Sequence, residues 1–132
     1  MLQIFNKMKN ILILIALFIT NFSFAQTPAE WKEKDDFHKV MASTFHPMED
    51  GNYNPIREKS EELYEKAVAW KKSTVPAGYN KKKISKKLKK LVEESKELND
   101  KIKKGATDAS IKDELTELHE IFHEIVGLCK AE

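Results

Sequence analysis

The sequence predicts an all-α protein, an antiparallel up-down-up-down four-helix bundle that follows a cleaved signal peptide. Three observations predict it. Apolar residues recur at alternating spacings of three and four in four segments, the signature of one buried helix face. Three short stretches rich in Pro, Gly and Asn separate those segments, so successive helices must reverse direction. Nowhere do apolar and polar residues alternate over a length that would make a convincing strand. Composition agrees: 41% hydrophobic, 33% charged, with 4 Gly and 4 Pro among 132 residues, which excludes disordered and fibrous classes.

The N-terminus reads as an export signal. Lys7 and Lys9 precede the apolar run Ile11 to Thr20, and the small residues Ser23 and Ala25 follow it, which predicts cleavage after Ala25. The run is shorter than the roughly 20 residues that span a membrane, so no stable membrane span is expected after cleavage. Residues 1–25 are thus the signal peptide and 26–132 a single bundle domain, periplasmic or secreted. Removing Lys7 and Lys9 from the 23 basic residues leaves 21, equal to the 21 acidic ones. A neutral domain of this kind does not call for a nucleic-acid partner, which demands a clear basic excess.

The first helix is expected over about 29–45, with Phe37, Val40, Met41, Thr44 and Phe45 on one side. Pro47 disfavours helix at the residue before it, so this helix should end near Phe45 or His46. Asn54-Pro55 then reads as a cap with proline in the first turn. The second helix, about 55–72, carries Ile56, Ser60, Leu63, Ala67 and Trp70, and stops before the turn Val75-Pro76-Ala77-Gly78. The third, about 81–104, carries Ile84, Leu88, Leu91, Ser95, Leu98 and Ile102, and ends in lysines followed by Gly105. The fourth, about 108–130, carries Ile111, Leu115, Leu118, Phe122, Ile125 and Cys129.

All four histidines fall in the first and last helices: His38, His46, His119 and His123. His119 and His123 lie one helical turn apart on one side, close enough to chelate one ion. The spelling His119-Glu120-Ile121-Phe122-His123 matches the HExxH of zinc proteases, but such an enzyme needs a third ligand and a substrate cleft that a small bundle has little room for. No Ser-His-Asp set, phosphate loop or buried acid pair can be argued, so the protein is not expected to be an enzyme. At about 100° per residue, His119 and His123 sit on one flank of the apolar stripe, and His38 on the matching flank of the first helix. Across an antiparallel seam His38 would look at the other two, while Pro47 leaves the direction of His46 open. Imidazoles in this number suit Zn²⁺, Cu²⁺ or Ni²⁺, with Glu49, Asp50, Glu120 and Glu124 as outer partners. The competing expectation is a set of exposed flank histidines on a ligand-free structural or interaction bundle of the cell envelope.

Three further features bear on partners. Lys81, Lys82, Lys83, Lys86, Lys87, Lys89 and Lys90 form a basic run without an acid, which offers either an anionic surface contact or a solvated outer face balanced by Glu93, Glu94 and Glu97. Cys129 is the only cysteine, so no intrachain disulfide forms; it reads as a small buried residue, a metal ligand, or an interchain bridge in a homodimer. Met41 and Met48 carry soft sulfur, although Met41 falls on the core stripe.

The exported chain, the four-helix order and the stretch from Lys104-Gly105 to Glu120-Ile121-Phe122-His123 resemble the cytochrome b562 and cytochrome c′ class of periplasmic four-helix bundles. That resemblance implies a haem-b electron-transfer protein, with Met41 or His38 as the first-helix ligand and His123 or His119 as the fourth-helix ligand. The sequence departs from the c′ pattern, because Gly127-Leu128-Cys129-Lys130 is not a CxxCH. What the resemblance then implies is a haem-free relative with histidines at the same end of the bundle.

Overall fold

Four helices form under the four apolar stripes: α1 (Lys32–Glu49), α2 (Asn54–Lys72), α3 (Lys81–Lys103) and α4 (Asp108–Leu128). The computed structural model describes residues 29–130; the expected signal peptide and its cleavage point lie outside them. Among the described residues there is no strand, and no helix is long and apolar enough to cross a membrane. Helices adjacent in sequence pack against each other over long seams, and α4 closes back on α1 through a much thinner one. The all-α four-helix bundle expected from the apolar spacing is the observed fold.

The core is the sum of the four stripes. Phe37, Met41, Ile56, Leu63, Trp70, Ile84, Leu88, Leu91, Leu98, Ile111, Leu115 and Leu118 are all fully buried. Trp70 sits among Trp31, Phe37 and Phe122, with ring centroids 5.7, 5.5 and 6.0 Å away. Trp31 precedes α1, and its indole N–H donates to Ser73 Oγ at 2.8 Å, tying the start of α1 to the end of α2. Thr44, two serines and an amide interrupt the hydrocarbon. Ser60 Oγ donates to Asn99 Oδ1 at 2.9 Å across the α2–α3 seam, and Ser95 is buried beside that layer.

The expected end of α1 at Phe45 or His46 is corrected by the structure, which carries the helix through Pro47 to Glu49. Pro47 forfeits its own amide hydrogen bond and crowds the Ser43 carbonyl, a cost set against the buried site that Met48 gains at 2% exposure. The chain turns at Gly51 instead, whose φ of 82° lies in the left-handed region. There the amides of Gly51 and Asn52 reach back to the carbonyls of Met48 and Pro47, at 3.0 and 2.8 Å. Gly105 closes α3 in the same way, with Ala106 N donating to Lys101 O. Cys129 is also corrected. It caps α4 beyond Leu128 and is half-buried at the core edge instead of lying inside it. Burial pushes its thiol pKa up, so it stays protonated and poorly nucleophilic.

Two substitutions measure these supports. Trp70→Ala should lower unfolding free energy by about 3–5 kcal/mol in urea denaturation, because it empties the meeting point of three helices. Gly51→Ala should cost about 1–2 kcal/mol, because a Cβ is strained at that φ even though open space surrounds it.

Candidate metal centre

α4 buries Leu118, Ile121, Phe122 and Ile125, which leaves His119 and His123 on its edge toward α1. His119 is half-buried and His123 exposed. The His119 ring lies flat on Phe45 of α1, centroids 3.8 Å apart and planes at 11°. The His123 ring stands perpendicular to it, and the two Nε2 atoms are 3.2 Å apart. At that distance one Nε2 carries a proton and donates to the lone pair of the other.

The remaining histidines share the same two phenyl rings. His38 stacks on Phe122 with centroids 4.9 Å apart, and His123 meets the edge of that ring at 5.5 Å. His46 packs edge-on against Phe45 at 6.0 Å, and its Nδ1 lies 3.1 Å from Glu49 Oε2. Phe45 and Phe122 thus carry four imidazoles between them, two each. Because α1 continues past Pro47, His46 is held on the helix and its direction is fixed.

His119 feels all of these neighbours. Burial lowers its pKa first, the charge of His123 adds to that, and His46 and His38 act in the same direction, while Glu49 opposes them. His119 is therefore neutral near pH 7, with a lone pair free for a hydrogen bond or a metal.

The four expected ligands reach one face, but only His119 and His123 converge. Among the described residues no group of three His, Cys, Asp or Glu side chains comes close enough together to hold an ion. The outer acids divide. Glu49 reaches His46, whereas Glu124 is drawn to Lys87 of α3. Asp50 sits in the exposed turn and Glu120 on the solvent side of α4. Met41 and Met48 are buried in the core. The residues do not fit a haem held by Met41 and His123: Phe37 and Phe122, centroids 5.9 Å apart, already fill the space between α1 and α4.

Sequence reasoning missed the phenylalanine platforms. The signal was faint: Phe45 and Phe122 each adjoin a histidine in sequence, yet Phe45 stacks on the histidine of the other helix. It also missed how the basic run is spent. Lys87 pairs with Glu124 and Lys90 with Glu117 at 3.0 Å, so part of the run seals α3 to α4, while Lys89 lies 3.8 Å from Glu93, one of the acids expected to balance it.

Comparison with protein-family models, curated proteins and solved structures found no match to this chain.

The lowered His119 pKa makes stability depend on pH. The unfolded state takes up a proton near pH 6.5, before the folded state does, so stability holds above that value and falls as pH drops through it toward the folded pKa. Urea midpoints at pH 7.5 and 5.5 should show a smaller drop for His119→Gln than for the parent.

Proposed function

We propose that this chain is an exported helical bundle that binds a divalent transition metal, Zn²⁺, Cu²⁺ or Ni²⁺, with His119 and His123 as its primary ligands and His38 and His46 beside them on the same face. The observation that carries this reading is the 3.2 Å separation of the two Nε2 atoms. Two imidazole nitrogens, each about 2.0–2.1 Å from a tetrahedral ion, lie about 3.3 Å apart. The pair is therefore at bite distance with the helix as it stands, and binding asks only for small ring rotations and transfer of the shared proton to an Nδ1 through solvent.

Two physical features favour it. The Phe45 stack restrains the His119 ring, which lowers the entropy lost when the ring is fixed on an ion. Burial keeps that ring neutral, and a metal binds only the deprotonated nitrogen. Export follows from the basic start at Lys7 and Lys9 and the apolar run to Thr20, and sequestration, sensing or delivery of the ion are the roles such a protein would serve.

Thermal unfolding with and without metal tests the reading. An ion at about 100 times its Kd stabilises by about 2.7 kcal/mol, several degrees in Tm for a domain of this size. Zn²⁺, Ni²⁺ or Cu²⁺ should raise Tm, Mg²⁺ should not, and the double variant His119→Ala, His123→Ala should lose the response. An unchanged Tm with all three ions would mean that the pair is simply a hydrogen bond in a ligand-free bundle.

A further inference from the structure

We infer that one metal ion is shared by two copies of this chain, with His119 and His123 of each copy closing around it on a twofold axis. The inference rests on the metal-binding reading above and names the partner that this site requires.

The first reason is the ligand count. Zinc in a protein site takes four ligands, or three with an open position, and the imidazoles that converge in one chain number two. The missing ligands are not readily supplied from within. His38 lies flat on Phe122, and His46 rests edge-on against Phe45 with its Nδ1 turned to Glu49. Bringing either to the ion would break a ring stack or a hydrogen bond, and the phenyl rings they rest on belong to the core.

The second reason is the outer surface of α4 next to the pair. One turn beyond His123 comes Val126, 38% exposed and the large apolar side chain left in solvent among the described residues. Gly127 follows it, exposed and with open space around its Cα, so the backbone there can be approached closely. His119, His123, Val126 and Gly127 form one strip that offers two nitrogens, an apolar contact and room for a second helix. A twofold axis through the ion makes such a strip complementary to itself. It doubles two nitrogens to the four of a tetrahedral shell and covers Val126 of both copies.

Sedimentation of the purified protein, freed of metal and titrated with Zn²⁺, tests this. The expected result is a monomer without metal and a dimer at one Zn²⁺ per two chains, returned to monomer by a chelator. His119→Ala and His123→Ala should each remain monomeric. A monomer that binds one Zn²⁺ per chain would overturn the shared site and leave metal binding standing. A dimer that survives the loss of both His119 and His123 would also overturn it. Failure to bind Zn²⁺ at all would overturn this inference together with the reading it rests on.

Discussion

Trp70 lies where α1, α2 and α4 come together, and the rest of the molecule is arranged around its indole. Phe37 reaches it from α1 and Phe122 from α4, while Trp31 covers it from the segment before α1. These rings supply much of the contact between the first and last helices, which otherwise touch little. The arrangement has a cost, since the indole N–H of Trp70 is buried without a partner, a penalty of about 1–3 kcal/mol. The burial of so much aromatic area outweighs it, because each such ring removes on the order of 150–250 Å² from water.

The same rings carry the candidate site. Phe122 faces Trp70 on one side and His38 and His123 on the other. Phe45, one layer along, holds His119 and His46. The imidazoles are therefore placed by core packing more than by their own hydrogen bonds. His119, resting on the buried Phe45 ring, loses water from one face, which favours its neutral form.

The fold was legible in the sequence because one-dimensional spacing encodes it. Ile84, Leu88, Leu91 and Leu98 announce their helix face by arithmetic alone, and Gly105 announces where α3 stops. Pro47 misled because a local rule about the preceding residue was weighed without the burial of Met48 and the turn at Gly51, one and four positions on. The site was legible in part. The pairing of His119 with His123 follows from a spacing of four, but the stacking of His119 on Phe45 depends on how α1 and α4 slide past each other. That relation joins residues far apart in the chain, and no pattern within one helix contains it. The partners of Lys87 and Lys90 were hidden for the same reason.

What sets that slide is the small polar layer between α2 and α3. A bundle of leucine stripes has shallow preferences along its axis, because one apolar layer packs nearly as well as the next. Ser60 and Asn99 act as a detent: a slip of one turn, about 5.4 Å, would push the Asn99 amide against Ile56 or Leu63 and strand it. The heights of α2 and α3 are locked together there, and the short loops carry that setting outward to α1 and α4. A hydroxyl and an amide on α2 and α3 thereby help to set which rings meet across the thinnest seam of the bundle.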